Sequence, residues 1–226
     1  EQLTQDAIGL LKQLIATQSF SREEDKTGDI LEEFFRERNI PFRRKINNLW
    51  ARNQHFNPEL PTVLLNSHHD TVKPNPKWTL DPFEPVVQEG KLFGLGSNDA
   101  GGCLVSLMAS FLYFYDRTYM PYNFLFVASA EEEISGHNGI ELALKAIPKI
   151  DFGIVGEPTL LEMAIAERGL MVLDVEATGK AGHAAREEGE NAIYKALDDL
   201  NKLREYQFKR ESPYLGKTKV TATIIQ

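Results

Sequence analysis

Acidic side chains and histidines follow several apolar runs of this chain, at the points where strands would end. They are His68, His69 and Asp70 after residues 62–67, Glu131, Glu132 and Glu133 after residues 123–129, and Glu157 after residues 151–155. Asp99 stands directly before a further apolar run. Strands of an α/β sheet deliver functional groups at their carboxyl ends. The sequence therefore places candidate functional groups at four strand or helix ends.

A metal site is the chemistry that these residue types favour. Zinc accepts imidazole nitrogen and carboxylate oxygen, and two zinc ions about 3.5–4 Å apart can share one bridging carboxylate and one bridging water. One histidine with several acids suits a dinuclear site of that kind. Each residue alone has an ordinary explanation, such as a solvated acidic run or a helix N-cap. Their joint placement at successive core elements favours the metal site.

The spacing of these residues suggests roles. Residues two apart point the same way along an extended chain, so His68 could bind metal while Asp70 orients its imidazole. His69 would face the other side, as a packing or surface histidine. Glu132 and Glu133 are adjacent, so their side chains diverge. One of them can bind metal while the other acts as general base on a metal-bound water, and spacing alone leaves open which does which.

The elements that must position these residues alternate between helices and strands. Apolar periodicity predicts helices over about residues 4–15, 21–39, 100–115, 137–147 and 189–206. Strands are predicted over residues 42–46, 49–52, 62–67, 123–129, 151–155, 170–178 and 219–225. Ser21 and Glu24 have the spacing of a capping box that would open the second helix. The alternation predicts an α/β sheet covered on both faces.

The pattern changes after Arg168. Residues 170–178 and 219–225 flank an amphipathic helix, which predicts the first β-α-β unit of a smaller domain. We therefore divide the chain into a domain over residues 1–168 and the start of a second over residues 169–226. Alternation still continues at Gln226, so we expect the C-terminal remainder of the second domain to be absent from this chain.

Composition argues against several classes of function. The formal net charge is −8 and the basic residues form no run, so we expect no nucleic-acid partner. No apolar run approaches the length of a membrane span, so we expect no membrane partner. The single cysteine, Cys103, cannot form an internal disulfide and is interpreted as a buried small hydrophobe. The polar first residues are unlike a signal peptide, which favours the cytoplasm.

Taken together, these segments resemble the acetylornithine deacetylase and succinyl-diaminopimelate desuccinylase family of dinuclear zinc hydrolases, which also contains aminoacylases, dipeptidases and a carboxypeptidase. The resemblance covers nearly the whole chain, in order and spacing. The matching segments are Ser67-His68-His69-Asp70-Thr71-Val72, Trp78 with Asp81-Pro82-Phe83, Gly94-Leu95-Gly96-Ser97-Asn98-Asp99, residues 130–133, Gly156-Glu157-Pro158-Thr159, and Gly182-His183-Ala184 with Asn191-Ala192-Ile193.

The resemblance implies a fold and a cofactor. The fold is an α/β, zinc-exopeptidase-like mixed sheet flanked by helices, with a smaller α+β lid and dimerisation domain. Residues 1–168 then form the catalytic, metal-binding domain, and residues 169–226 begin the lid. The cofactor is zinc, two ions per subunit, with cobalt as an alternative metal, and the protein is expected to be a homodimer.

The resemblance also implies the metal ligands. His68 and Glu157 match the ligands of one zinc ion. Glu133 matches a ligand of the other, and Asp99 resembles the ligand that bridges the two. The family has a further histidine near its C-terminus as the last ligand of the second zinc, and this chain contains no candidate for it.

Four more residues match functional positions of the family. Glu132 is similar to the general base, and Asp70 resembles the acid that orients the first histidine. His183 resembles a lid histidine that, in dimeric members, stabilises the oxyanion in the partner's active site. Arg168 matches a basic residue that lies near the substrate in some members.

The reaction implied by the resemblance is hydrolysis of the amide between a small acyl group and the α-amine of an amino acid. N-acetylornithine, as an intermediate of arginine biosynthesis, is the expected substrate, with N-succinylornithine, acyl-citrulline and acyl-lysine also open. A metallo-dipeptidase or aminopeptidase of the same family is the first alternative. The alternative of another class is a non-catalytic dimerisation or regulatory homologue, against which the presence of both Glu132 and Glu133 argues.

Overall fold

The computed structural model describes residues 1–183, 185–186 and 188–226. Ala184 and Glu187 lie outside the described residues, so the predicted Gly182-His183-Ala184 segment is followed only as far as His183. The chain separates into two units, unit 1 over Glu1–Leu161 and unit 2 over Glu162–Gln226. Across the described part of the chain, no helix combines the length and the apolar character needed to cross a membrane.

Unit 1 is built on a mixed sheet. Its strands are β1 (Phe42–Lys45), β2 (Asn48–Arg52), β3 (Thr62–His68), β4 (Val86–Gln88), β5 (Lys91–Phe93), β6 (Asn123–Ser129) and β7 (Phe152–Val155). Five of them form one sheet in the order β1-β2-β6-β3-β7, while β4 and β5 pair as a separate hairpin. β1, β2 and β6 are joined antiparallel, whereas β6, β3 and β7 run parallel. The sheet is therefore mixed, as predicted.

Helices cover both faces of this sheet. They are α1 (Gln2–Ile15), α2 (Asp25–Glu37), α3 (Cys103–Phe114) and α4 (Ile140–Leu144). Phe126 and Ala128 of β6 pack with residues of α1, α2 and α3, while Leu125 and Val127 of the same strand pack with Ala143 of α4. Side chains alternate between the two faces of a strand. Both sets are apolar because β6 is covered on both sides, and this confirms the predicted α/β arrangement.

The predicted start of the second helix is wrong in its detail. Glu24 is the N-cap of α2, and no side-chain capping hydrogen bond forms there. The hydroxyl of Ser21 instead donates to Asp70, and Glu24 accepts the backbone N–H of Arg22. Two other helices are shorter than expected: α3 begins only at Cys103, and α4 spans only Ile140–Leu144. Cys103 was expected to be buried, but its side chain is half-buried.

Unit 2 contains one well-defined helix and a short hairpin. The helix α5 (Ala192–Glu205) is capped by Asn191, whose side chain accepts the N–H groups of Ile193 and Tyr194. The strands β8 (Glu211–Ser212) and β9 (Gly216–Lys217) pair with each other. The strands predicted over residues 170–178 and 219–225 are wrong, since neither segment is a strand in the described chain. Alternation marks a possible face, but a strand also needs a neighbour that pairs with its backbone.

Candidate metal centre

The three parallel strands of unit 1 end at one edge of the sheet. His68 is the last residue of β3, and it lies opposite Ser129, the last residue of β6. Glu132 and Glu133 form the short 3₁₀ turn that follows β6, and Glu157 lies two residues beyond β7. Functional groups from three separate strands are therefore delivered to the same carboxyl edge, which is the usual position of a site in an α/β sheet.

Asp99 reaches this edge from a different element. It lies in a π-helical turn, Ser97–Gly102, that leads into α3. The turn depends on glycine: a Cβ added to Gly101 would lie 2.6 Å from the carbonyl oxygen of Gly96, and one added to Gly102 would lie 2.7 Å from that of Ser97. The sequence indicated that Asp99 begins a helix, but it could not indicate this wider turn, in which the N–H of Gly101 donates to the carbonyl oxygen of Gly96 five residues earlier.

His68 is the centre of the cluster. Its Nε2 lies 3.2 Å from Asp99 Oδ1, 3.8 Å from Glu132 Oε2 and 3.8 Å from Glu157 Oε2. Two overlapping groups have ligand atoms within 4.8 Å of one another, namely His68 with Asp99 and Glu133, and His68 with Glu132 and Glu157. The structure thus brings together all four predicted metal ligands and the predicted general base. The histidine is buried and the acids are partly exposed, so the cluster opens to solvent on their side.

Asp70 connects two parts of the cluster. The Nδ1 of His68 lies 2.9 Å from the backbone oxygen of Asp70 and 3.3 Å from its Oδ1. With Nδ1 engaged in this way, Nε2 is the nitrogen that faces the acids. The Asp70 carboxylate also accepts the hydroxyl of Ser21 and the backbone N–H groups of Glu132 and Glu133. It therefore holds the histidine and the turn with the two glutamates at once.

His69 points to the opposite side of β3. Its Nε2 lies 2.8 Å from the backbone oxygen of Asn47, and its Nδ1 lies 2.9 Å from the hydroxyl of Thr27. Because a carbonyl can only accept, Nε2 carries the proton and Nδ1 accepts from Thr27. Burial lowers the pKa of His69. His69 is therefore a neutral packing residue, in agreement with its interpretation from the sequence.

The charges in the cluster are unbalanced. Burial works to lower the pKa of His68, but Asp70, Glu157 and Glu132 outweigh it and raise that pKa to about 9. Burial, together with repulsion from neighbouring acids, raises the pKa of Glu157 to about 7, despite the opposing effect of His68. Burial and Asp99 likewise raise the pKa of Glu133.

This excess of negative charge fits a metal ion. Within residues 1–183, 185–186 and 188–226, no lysine or arginine forms an ion pair with the four acids that face His68. One imidazole and several carboxylates are ligand types that zinc accepts. A bound cation would supply the positive charge that the protein does not, and it would favour the deprotonated form of each ligand.

The two remaining site candidates belong to unit 2. Both are exposed, and each makes a contact within unit 2: the Nδ1 of His183 accepts the N–H of Ala185, and the Nε of Arg168 donates to the backbone oxygen of Leu215. The residues gathered around His68 all belong to unit 1, so the roles of His183 and Arg168 stay predictions.

Three residues of this site were missed at the sequence level: Ser21, Glu24 and Asn48. Their side chains contact Asp70 or the backbone of residues 130–131. Ser21 and Glu24 did stand out by their spacing, but the capping box explained that spacing without reference to a site. Asn48 lies between two predicted strands, over residues 42–46 and 49–52, where an asparagine is an ordinary turn residue.

Comparison with known proteins identifies the family. Residues 64–221 match the sequence model of Peptidase family M20/M25/M40. The chain belongs to this family. Its members are metal-dependent hydrolases, and the resemblance noted from the sequence is confirmed.

Curated relatives of this M20 chain include two enzymes whose names describe the removal of an acyl group. It is 27% identical to succinyl-diaminopimelate desuccinylase of Wolbachia pipientis subsp. Culex pipiens (strain wPip), in a match that covers 97% of this chain and 59% of the relative. It is 32% identical to acetylornithine deacetylase of Proteus mirabilis (strain HI4320), over 88% of this chain and 55% of the relative. The chain thus spans less than two thirds of the length of either relative.

Solved structures share the fold of this M20 chain. A tripeptidase from Staphylococcus aureus subsp. aureus Mu50 aligns with a TM-score of 0.58 at 21% identity, over 88% of this chain and 56% of that one. The aminopeptidase PepT from Bacillus cereus ATCC 10987 aligns with a TM-score of 0.58 at 17% identity, over 88% of this chain and 56% of that one. At such identities the likeness concerns the fold alone.

Proposed function

We propose that this protein is a zinc-dependent amidohydrolase that removes the acyl group from an N-acyl amino acid. The observation that carries the proposal is the convergence of one buried imidazole and four carboxylates at the carboxyl edge of the sheet, with no lysine or arginine paired to those acids in the described chain. Family membership supports hydrolysis, and the names of the two curated relatives support acyl removal.

The proposed ligand assignment follows the family resemblance, and all of its residues belong to the two groups around His68. His68 and Glu157 would hold one ion, Glu133 would hold the other, and Asp99 would be the ligand that they share. This arrangement is supported by Asp99, which stands 3.2 Å from Nε2 of His68 and also belongs to the group that contains Glu133. When bound, zinc would act as a Lewis acid that polarises the acyl carbonyl.

Glu132 is the proposed general base. Its Oε2 takes a proton from the attacking water and delivers it to the leaving nitrogen. Two observations support this role: the side chain is half-exposed at the open side of the cluster, and its backbone N–H is fixed by Asp70. A base must reach solvent water and substrate and still be held in place, and Glu132 meets both conditions.

The finer parts of the proposal rest on sequence resemblance. We take N-acetylornithine as the substrate, which the 32% identity to an acetylornithine deacetylase supports, and arginine biosynthesis as the pathway. His183 would stabilise the negative charge on the acyl oxygen in the active site of a second copy, and Arg168 would contact the substrate. These roles require a homodimer, and we place the protein in the cytoplasm.

The test is turnover by the zinc-loaded full protein. The panel contains N-acetylornithine, N-succinylornithine, N-succinyl-diaminopimelate and dipeptides, and the variant is Glu132→Ala. We expect turnover of one acyl amino acid and a loss of about 10²–10⁴-fold in kcat in the variant. The matched control is Glu59→Ala, which removes an exposed glutamate that precedes β3 at the other end of the strand and should leave kcat unchanged. Turnover of dipeptides alone would reject acyl removal.

A further inference from the structure

The acidic loop, residues 130–133, is held by side chains rather than by strand pairing. Directly after β6, the N–H of Ala130 donates to Asn48 Oδ1 at 3.1 Å, and the N–H of Glu131 donates to Glu24 Oε1 at 3.1 Å. The N–H groups of Glu132 and Glu133 donate to the two carboxylate oxygens of Asp70 at 3.1 and 3.2 Å. Four successive amides thus bind three side chains, and the bonds to carboxylates belong to the stronger class of hydrogen bonds.

Glu24 is the least expected of these three side chains. It is fully buried, and a buried carboxylate is tolerated only when its oxygens are satisfied. Oε1 accepts from the N–H of Arg22 and of Glu131, and Oε2 accepts from Nδ2 of Asn47 at 2.8 Å. No lysine or arginine among the described residues forms an ion pair with it. Its donors come from three segments: the connection before α2, the β1–β2 turn and the acidic loop.

The backbone that Glu24 holds has a conformation that needs support. Glu131 has φ of +53° and Ser135 has φ of +48°, both in the left-handed region that side chains other than glycine disfavour. The side chain of Glu131 is buried and accepts from Nδ2 of Asn138. The acidic run therefore divides into one internal residue, Glu131, and two residues directed to the site, Glu132 and Glu133. Glu24 accepts its hydrogen bond from the N–H of Glu131, the residue that separates the buried part of the run from the part that faces the site.

We propose that Glu24 is a positioning residue of the metal centre: it binds the N–H of Glu131 and so fixes the turn from which Glu132 and Glu133 reach the ions. The inference rests on the proposed function for its catalytic consequence, but its structural part is testable without any substrate. Glu24 belongs to neither group of candidate ligands around His68, and it acts together with Asp70, which holds the next two amides.

The first measurement needs no variant and no metal. Amide hydrogen exchange in the wild-type metal-free protein should show slow exchange for Glu131, Glu132 and Glu133, because each of these amides is bonded to a buried carboxylate. Exchange of the Glu131 amide as fast as that of an exposed loop would overturn the inference.

The second measurement uses variants in which Glu24 is replaced alone and together with its partner Asn47. Glu24→Gln replaces one accepting oxygen by an amide nitrogen, which faces either Nδ2 of Asn47 or the N–H groups of Arg22 and Glu131. The oxygen that remains is uncharged and is therefore a weaker acceptor. We expect faster exchange at Glu131, weaker zinc binding and a kcat about 10–100-fold lower with KM within about threefold, the range found when a residue that supports metal ligands is lost. In the double variant E24Q/N47D, the carboxylate introduced at position 47 can accept from the amide introduced at position 24. It can also accept from Arg44, which now bonds Oδ1 of Asn47. This variant should recover slow exchange and most of kcat.

The matched control is Asn123→Asp, an isosteric exchange at another fully buried polar residue. Asn123 bonds Asn57, Leu60 and Thr62 at the start of β6, at the end of the strand opposite the acidic loop. The Asn123→Asp substitution should lower the free energy of unfolding but leave zinc affinity and kcat per folded molecule unchanged. An equal loss of kcat in this control would overturn the inference, as would unchanged exchange in E24Q or no recovery in the double variant.

The remaining outcomes are also decisive. If E24Q and E24Q/N47D both fail to fold while N123D folds, Glu24 is a folding residue and the positioning role is rejected. If exchange at Glu131 and zinc affinity respond as expected but wild-type protein turns over no substrate of the panel, the proposed function fails and the positioning role stands.

Discussion

The central strands of the sheet and its β7 edge hold their functional residues in different ways. β3 and β6 are buried and are paired on both sides, and the residues that follow them are bonded further by Asp70, Glu24 and Asn48. All residues of β7 are exposed, and in the described chain this strand pairs only with β3. His68, Glu132 and Glu133 are therefore fixed by the core, whereas Glu157 extends from a strand with one neighbour. A metal centre can combine rigid ligands with one that adjusts.

The largest expected difference is in metal content and kcat between a variant of His68 and a variant of Glu157. His68 and Glu157 are the proposed ligands of the same ion, but His68 is buried and held by Asp70, whereas Glu157 extends from an exposed strand. We expect His68→Ala to lose that ion and about 10²–10³-fold in kcat, the order of loss seen when an electrostatic catalytic group is removed. Glu157→Ala should retain part of that ion. Metal content by mass spectrometry after gel filtration decides this, and equal stoichiometry in the two variants would contradict the comparison.

Replacing one phenylalanine in β6 and one in β7 compares how much each strand contributes to stability. Phe126 of β6 is 0% exposed, and Phe152 of β7 is 62% exposed. Phe126→Ala should lower the free energy of unfolding by about 3–5 kcal/mol through the cavity it leaves. Phe152→Ala should change it by less than about 1 kcal/mol. Urea unfolding of the two metal-free variants measures both values. Similar losses would mean that β7 is held as firmly as β6.

Asp70→Asn tests whether one carboxylate serves both the histidine and the acidic loop. The asparagine keeps one acceptor oxygen but presents a donor where the other oxygen accepted an amide. We expect kcat to fall about 10–100-fold. The pKa of His68 should also fall, because Asp70 is a main cause of its increase. NMR titration of the metal-free variant measures that pKa, and an unchanged value would show that Asp70 does not control it.

The metal-free protein should become less stable as pH rises. Burial and the neighbouring acids hold the pKa of Glu157 at about 7, above its usual 4.5. Its contribution to the free energy of unfolding is therefore complete below pH 4.5 and is lost as pH rises through 7. The acids around His68 raise its pKa from 6.5 to about 9, so that contribution is lost between those values. Thermal melts from pH 5 to 9.5 should show the decline. Zinc should reverse it, because the metal binds the deprotonated ligands. A flat profile without metal would contradict both shifts.

Much of the fold and of the site could be predicted because the relevant signals are local. Apolar runs gave the positions of β3, β6 and β7, and the acids at their ends meet because parallel strands share a carboxyl edge. What failed depends on partners far away in sequence. Residues 170–178 alternate but find no pairing neighbour among the described residues, and Ser21 and Glu24 serve residues 70 and 131 rather than their own helix.

In the described chain, one side of β7 pairs with no other strand, and this affects how this chain behaves at high concentration. Phe152, Ile154 and Val155 are exposed, and no charged residue interrupts the strand. An apolar edge of this kind presents unpaired backbone groups that can template pairing with another molecule. We expect light scattering to rise with protein concentration, and Ile154→Lys to reduce it by placing a charge on the edge. Equal scattering by the two proteins would assign any aggregation to another surface. The strand that leads to Glu157 is thus also an edge at which one molecule of this chain can pair with another.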